Sequence, residues 1–155
     1  MGTHYPGTPE EKSALDVYIK LSRAAEAVNT RINQHLKAKN ITISQFGALE
    51  AIYHLGPMHQ NRLAEKILKS TGNLTLVIDN LEKRGLVTRE RDPEDRRCIT
   101  IDLTGSGREL IEQLFPRHVA IVVREIGVLT RAEQSQLAAL CRKLGLAKLV
   151  ADSQT

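Results

Sequence analysis

The apolar residues of this chain change their spacing near Gly85, and this change restricts the possible folds more than any other feature. Before Gly85, apolar side chains recur every three or four residues, as on one face of an α-helix. After it, Ile99, Ile101 and Leu103 alternate with polar residues, as on one face of a β-strand. Residues 41–103 therefore predict several helices followed by a β-hairpin.

A long apolar stripe precedes this region. It runs from Leu15 to Leu36 and predicts one helix from about residue 10 to residue 39. A helix of this length presents more apolar surface than the core of one small domain needs. We therefore expect a partner helix, which a second copy of the chain would supply.

Capping and turn residues divide the rest of the helical part. Ser44 is the expected N-cap of a second helix, which stops at Gly56. A short helix is expected over residues 60–67. The next helix is capped by Ser70 or Thr71 and ends just before Gly85, where basic residues and a glycine are typical of a helix C-terminus.

The C-terminal third predicts two more helices. Thr104 begins a long helix in which Pro116 predicts a kink or a break. Thr130 and Glu133 form a capping box for the last helix. The expected fold class is mainly α (α+β), a winged helix-turn-helix whose flanking long helices form a dimerisation layer. In this single compact chain, the winged helix-turn-helix spans residues 41–103, the dimerisation region spans residues 10–40 and 104–155, and residues 1–9 form a flexible arm.

Composition excludes several classes of protein. The chain has 155 residues, no Trp and only 3% aromatic residues, so it lacks the stacking platforms that bind single-stranded nucleic acid. It shows neither a signal peptide nor an apolar run long enough for a membrane span, so we expect a cytoplasmic protein. The net charge of +4 is compatible with a nucleic-acid partner. Because no segment concentrates this charge, a DNA interface depends on local placement.

The helix after residue 70 has the features of a DNA-reading helix. Its N-terminal end carries small and polar residues opposite an apolar face, and such an end fits the major groove. Asn73 can form paired hydrogen bonds with adenine, and threonines can contact several bases. Leu76 lies on the expected outer face, where it would touch thymine methyl groups or, alternatively, pack against a neighbouring helix. The candidate base-contacting residues are Thr71, Asn73, Thr75 and Leu76.

Two further groups of residues fit the DNA backbone and the minor groove. The candidate phosphate contacts are Arg62, Lys66, Lys69 and the capped helix start at Ser70. At the hairpin tip, Arg96 and Arg97 are candidates for insertion into a narrow minor groove. Acidic residues surround them, and Asp95 is placed to brace Arg97 by a hydrogen-bonded pair. The alternative is a solvated loop of salt bridges with little net energy.

The stretch from Leu63 to Gly107 resembles the winged-helix core of the MarR (multiple-antibiotic-resistance regulator) family. It reads LAEKILKSTGNLTLVIDNLEKRGLVTRERDPEDRRCITIDLTGSG. The resemblance implies an obligate homodimer that binds a pseudo-palindromic operator, usually as a repressor. It adds Asn80 to the base-contacting residues and makes Arg97 the minor-groove arginine, paired with Asp95. Many members have a basic residue where this chain has Leu76, which affects the base preference at that position.

The resemblance also implies a small-molecule effector that binds between the DNA-binding lobe and the dimer helices. An aromatic or phenolic compound is the expected class. Residues on the helices that would line such a cleft are Tyr18, His35, Tyr53 and His54.

Two other functions are also compatible with a winged-helix sequence. A winged-helix module that binds protein rather than DNA is one alternative, and a redox-sensing regulator that uses Cys98 is another. Cys141 is expected in the core. The histidines and cysteines show no ligand-like spacing, so we expect no metal and no cofactor. No nucleophile elbow, phosphate-binding glycine loop or HExxH motif indicates an enzyme.

Overall fold

A computed structural model describes residues 2–67 and 71–147 of the chain. Its described part is mostly helical, with one small antiparallel sheet, as the expected fold class requires. The elements are α1 (Pro9–Lys37), α2 (Ile43–Leu55), β1 (Met58–His59), α3 (Gln60–Lys66), α4 (Thr71–Lys83), β2 (Val87–Arg91), β3 (Ile99–Leu103), α5 (Gly105–Ile126) and α6 (Arg131–Gly145).

The expected N-cap of α2 is wrong by two residues. Thr42, not Ser44, is the N-cap: its hydroxyl accepts from the Gln45 backbone N at 3.1 Å. The Gln45 side chain accepts from the Thr42 backbone N, also at 3.1 Å, and completes a capping box. Both Thr42 and Ser44 are good capping residues, but only Thr42 has a glutamine three positions later.

The end of α4 follows the expectation. Gly85 has a φ of 68°, a left-handed conformation that favours glycine. Its N–H bonds to the Glu82 carbonyl at 2.9 Å, and the Leu86 N–H bonds to the Leu81 carbonyl at 2.9 Å. These two bonds form a Schellman motif, which stops the helix and turns the chain into β2. The expected cap at Ser70 lies outside the described residues.

The sheet has the strand order β1-β3-β2, with β3 in the centre. Val87 pairs with Leu103 and Arg91 pairs with Ile99, which leaves residues 92–98 as the hairpin tip. The sequence did not predict β1, because its two residues are too few to show a strand periodicity. Met58 pairs with Ile101 and attaches the start of α3 to the sheet.

Helix α5 continues through Pro116, so of the predicted kink or break the break does not occur. Thr104 caps this helix as expected and also joins it to the end of α4. Its hydroxyl accepts from the Gly107 N–H at 3.0 Å and donates to the Gly85 carbonyl at 2.6 Å. The turn that starts the wing and the helix that leaves it are therefore held together.

One apolar core lies among α2, α3, α4, the sheet and the first half of α5. The fully buried side chains of these elements include Leu49, Leu63, Ile78, Ile101 and Ile111. Burial of each large aliphatic side chain stabilises the fold by roughly 1.5–3 kcal/mol. This core holds α4 and the β2–β3 hairpin in one lobe.

Apolar residues of α1 and α6 remain exposed. None of the residues of α6 is buried in the single chain. Cys141 is exposed as well, so its expected place in a core is wrong for one copy of the chain. The exposed apolar residues of these two helices include Val17, Leu21, Leu137, Leu140 and Leu144. Within the described ranges, no helix is both long enough and apolar enough to cross a membrane.

Gly107 marks a close approach between α5 and the start of β2. A Cβ at Gly107 would lie 2.0 Å from the Leu86 carbonyl oxygen, whereas a Cβ at Gly105 would meet no atom within 4 Å. We predict that Gly107→Ala lowers the free energy of unfolding by more than about 2 kcal/mol, because backbone must move to admit the methyl group. Urea unfolding at fixed protein concentration measures this. Gly105→Ala is the matched control and should change stability by less than about 1 kcal/mol. Equal stability of the two variants would contradict the predicted contact.

Candidate nucleic-acid interface

Helix α4 has one buried face and one exposed face. Leu74, Ile78 and Leu81 are fully buried in the core. On the opposite side Asn73 and Asn80 are exposed. Residues three and four positions apart share a face of a helix, so burial of one set fixes the exposure of the other. The structure therefore presents part of the predicted reading set to solvent.

Leu76 belongs to this exposed face. Its relative exposure is 65%, so it does not pack sideways against a neighbouring helix. An apolar side chain that is exposed on a polar surface is available for contact with thymine methyl groups. Thr71 begins the helix, but its side chain is outside the described part of the chain.

Thr75 has a different environment from the rest of the predicted set. It is half-buried, and its hydroxyl accepts a hydrogen bond from Gln60 Nε2 at 2.9 Å. Gln60 is the first residue of α3, so this bond connects α3 to α4. The sequence did not single out Gln60, because a glutamine at a helix start has many roles. Its Oε1 is buried without a hydrogen-bond partner in the described structure.

The predicted phosphate contacts are described only in part. Arg62 and Lys66 are both exposed on α3. Lys69 and Ser70 lie outside the described residues. The two exposed cations are available to phosphates along one side of the reading helix.

The acidic residues of the wing are partly occupied by the loop itself. Asp92 Oδ1 accepts from the Glu94 N–H at 2.8 Å, and Asp95 Oδ1 accepts from the Arg97 N–H at 3.0 Å. The Asp95 carbonyl also accepts from the Cys98 N–H at 2.9 Å. These bonds hold the backbone of the tip in place. Asp92 and Asp95 therefore have a structural role in a loop that also carries Arg96 and Arg97.

Asp95 contacts Arg97 mainly through the backbone. The N–H bond of Arg97 is the largest cause of a lowered Asp95 pKa, whereas the contact from Arg97 Nε is long, at 3.4 Å. The Arg97 side chain is 93% exposed, and Arg96 is exposed beside it. The loop is thus braced at its main chain, and the Arg97 guanidinium extends into solvent.

Arg89 connects the wing to α4, and the sequence analysis missed it. Its guanidinium donates from Nη2 to Asp79 Oδ1 and, at 3.0 Å, to Glu82 Oε1. The hydrogen bond to Glu82 is the largest cause of a raised Arg89 pKa. The two carboxylates lie one helical turn apart, so this arginine fixes β2 against the C-terminal half of α4. The spacing of Asp79 and Glu82 was a visible signal, but their partner became evident only from the strand's position.

The predicted effector residues do not form one group. Tyr53 and His54 are in ring contact at 5.0 Å, and His54 packs on Phe115 of α5 at 4.5 Å. The guanidinium of Arg108 lies 5.6 Å from the centre of the Tyr53 ring.

The other two members of the set lie elsewhere. His35 is buried against His118 of α5, whereas Tyr18 is exposed on the N-terminal part of α1. On the outer side of α2, a cavity of about 750 Å³ reaches His54, Glu50 and Lys66. Across residues 2–67 and 71–147, no three histidine, cysteine or acidic side chains group as a metal site would require.

The environment of Cys98 disfavours a redox role. Its Sγ donates to Asp95 Oδ2 at 3.6 Å. Burial and the nearby Asp95 carboxylate raise the pKa of the thiol above 9.0. Reactive cysteines have a lowered pKa, since the thiolate is the nucleophile.

We predict slow alkylation of Cys98 in a Cys141→Ser variant, with a pH midpoint above 9.0. Asp95→Asn should move this midpoint down and speed the reaction with iodoacetamide at pH 8, because it removes the adjacent negative charge. Glu94→Gln, which changes the same charge without contacting the thiol, should have little effect. A midpoint well below 9.0 in the Cys141→Ser protein would restore the redox hypothesis.

Comparisons with known proteins agree with this geometry. The sequence model of the MarR family matches residues 41–99. MhqR of Bacillus subtilis (strain 168), an HTH-type transcriptional regulator, is 34% identical over 136 residues, which cover 88% of this chain and 93% of MhqR.

Solved structures show the same fold. BpsR of Bordetella bronchiseptica, whose DNA binding is regulated by 6-hydroxynicotinic acid, superposes with a TM-score of 0.80 at 27% identity, covering 93% of this chain and 100% of that one. A mutant MarR of E. coli complexed with operator DNA gives a TM-score of 0.71 at 28% identity, covering 82% of this chain and 94% of that one. Taken with the exposed reading face of α4 and the arginine-tipped wing, these similarities show that the chain belongs to the MarR family of transcriptional regulators, which are not enzymes.

Proposed function

We propose that two copies of this chain bind one double-stranded operator and repress transcription until a small-molecule effector releases them. One observation carries the proposal: α4 and the exposed Arg97 guanidinium belong to a single lobe. The core fixes α4, and Arg89 fixes the wing against α4, so the two DNA-contacting parts have a defined separation.

The flanking helices support a homodimer. Val17 and Leu21 of α1 and Leu137 and Leu140 of α6 are exposed in one copy. Contiguous apolar surface of this kind indicates a protein interface. We assign residues 10–40 and 104–155 to that interface, residues 41–103 to DNA binding and residues 1–9 to an arm.

The DNA would be read in both grooves. The proposed major-groove contacts come from Asn73, Leu76 and Asn80, with Thr71 and Thr75 near the helix start. Arg97, with Arg96 beside it, would enter the adjacent minor groove, while Arg62, Lys66, Lys69 and Ser70 would meet phosphates. Two-fold symmetry of the protein requires a pseudo-palindrome with half-sites about 34–36 Å apart. Such a protein works where the chromosome is, so the cytoplasm is its proposed location.

The effector is proposed to be an aromatic compound that acts between the lobe and the dimer helices. Two features support this class: the ring contacts of Tyr53, His54 and Phe115 along α2 and α5, and the guanidinium of Arg108 beside them. BpsR, which is regulated by an aromatic acid, offers a parallel. A ligand that changes the separation of the two reading helices would lower operator affinity.

Arg97→Ala tests the DNA-binding proposal. We predict that affinity for a duplex carrying the inverted repeat beside the gene falls by about ten- to a hundredfold, equivalent to about 1–3 kcal/mol. Fluorescence anisotropy at fixed ionic strength measures this, and size-exclusion chromatography with light scattering checks the dimer. Arg124→Ala is the matched control, since it removes an exposed cation on α5 instead.

The salt dependence distinguishes the competing function. Each neutralised phosphate adds about 0.9 to the slope of log affinity against log salt for a DNA-binding protein. Unchanged affinity in Arg97→Ala would remove the wing from the interface. A slope near zero in the wild-type protein would instead favour a winged-helix module that binds protein.

A further inference from the structure

Two histidines from distant parts of the sequence meet between α1 and α5. His35 Nε2 and His118 Nδ1 are 3.1 Å apart, so one ring donates a hydrogen bond to the other. Phe46 of α2 completes the cluster: its ring lies 4.5 Å from His118 and 6.3 Å from His35, centre to centre. The pair therefore joins a helix of the dimerisation layer to α5 at the point where α2, from the DNA-binding lobe, packs on both.

The positions of the protons follow from the burial of His35. A neutral pair of imidazoles carries two N–H groups on four nitrogens, and one of them forms the bridge. His35 Nδ1 is buried and has no hydrogen-bond partner in the described structure. An N–H group there would be an unsatisfied donor, so the second proton is better placed on Nε2 of the half-buried His118. His35 then donates to His118, and its Nδ1 carries only a lone pair.

This arrangement has no satisfactory place for a third proton. With three protons, one lies in the bridge and the other two occupy His118 Nε2 and His35 Nδ1, whichever ring donates the bridge. The charged pair would therefore bury an N–H group without an acceptor. A fourth proton would remove the bridge and place two positive rings in contact. Both charged forms would therefore destabilise the packed arrangement.

The charged groups around the pair do not offset this cost. Arg117 of α5 acts on His35 with the same sign of charge. Farther along the α1–α5 seam, Glu125 pairs with Arg31 at 2.7 Å rather than with a histidine. From α2 the contact is the Phe46 ring, and His54 lies beyond it against Phe115. Within the described ranges, no carboxylate bonds to either imidazole of the pair.

We propose that the His35–His118 pair is a proton-operated lock that holds α1, α5 and α2 together and that opens when it takes up a proton, which lowers operator affinity. The proposal rests on the function inferred above, because it concerns the regulation of that same DNA-binding dimer. An acid-opened lock would let the lobe shift relative to the dimer helices. The separation of the two reading helices would then no longer be fixed.

The direction of the pH effect follows from proton linkage. Burial is the largest cause of a lowered pKa for both His35 and His118, followed by the charge of Arg117 for the first and of His35 for the second. A histidine whose pKa is lower when packed stabilises the packed state above its unperturbed pKa, which is 6.5, and loses that contribution as the pH falls below it. The lock is therefore closed at neutral pH and opens in acid. Each proton taken up lowers the equilibrium constant for the packed state by up to about tenfold per pH unit.

A double variant removes the titration and keeps the hydrogen bond. In His35→Gln/His118→Asn, the glutamine amide replaces the Nε2–H donor and the asparagine oxygen replaces the Nδ1 acceptor. Duplex affinity is measured by fluorescence anisotropy at pH 7.5 and pH 5.5 at constant ionic strength. His4→Gln, which removes an exposed histidine of the N-terminal arm, is the control.

The expected result is that the wild-type protein and His4→Gln lose about tenfold or more in affinity between the two pH values, while the double variant loses less than about threefold. Equal losses in all three proteins would overturn the lock. Failure of the wild-type protein to bind the duplex at pH 7.5 would instead contradict the proposed function.

NMR keeps the proposal testable if the double variant does not fold. In the wild-type protein, the ring resonances of His35 and His118 should titrate below pH 6.5, the ordinary pKa of a histidine. The protection factors of the α1 and α5 amides beside the pair, which correct for the intrinsic pH dependence of exchange, should fall in acid. Ring resonances that titrate at or above pH 6.5 would overturn the proposal without any DNA present.

Discussion

The burial of Leu74, Ile78 and Leu81 in one core is the constraint on which the rest of the structure depends. These side chains fix the rotation of α4 about its own axis, because successive helical residues are offset by about 100°. A rotation by one residue would bury Asn73 and Asn80 in one direction, or Thr75 in the other, and would expose the core side chains. The core therefore sets which residues of α4 face solvent, where the proposed DNA contacts lie, as firmly as it stabilises the lobe.

The wing, which is the second part proposed to contact DNA, is positioned by the same helix. Arg89 reaches from β2 to two carboxylates of α4, and the Schellman turn at Gly85 fixes where β2 begins. Beyond the strands, Asp92 and Asp95 accept hydrogen bonds from the tip's own backbone. The wing is thus arranged by hydrogen bonds at its base and along its loop, and Arg97 remains exposed at the end of a shaped support.

The proposed dimer layer and the proposed DNA-binding lobe meet along α5. Its first turn is held against the start of β2 by Thr104 and Gly107, and its middle packs against α1 and α2 through His118. A ligand or a proton that acts on this middle part is well placed to change how the two lobes of a dimer are held. This is a physical reason for the proposed effector site and the proposed proton-sensitive pair to lie on the same helix.

The local patterns of the sequence predicted much of the fold. Periodicity and capping residues located the long helices, the hairpin and the turn at Gly85, because each depends on neighbours in the chain. The errors concern choices between similar local options or long-range contacts. Thr42 and Ser44 are both good caps, and the fold tolerates Pro116 within α5. The bonds His35–His118 and Arg89–Asp79 join residues whose proximity only the folded chain creates.

The candidate site was partly readable for the same reason. Helical periodicity gave the exposed face of α4, and the DPEDRR segment gave the wing. Other features depend on distances between helices, which no local pattern contains. These distances place Thr75 beside Gln60, and they separate Tyr18 from the other effector candidates. The exposure of Cys141 has the same origin, since no other described segment of the same copy covers α6.

In the proposed complex, two copies hold their α4 helices about one helical turn apart on the same side of the duplex. The most direct measurement compares affinity for an operator with its intact inverted repeat and for one with five base pairs inserted at its centre, which turns one half-site to the opposite face. The account predicts that the insertion reduces affinity to that for a single half-site. Equal affinity for the two duplexes would contradict it.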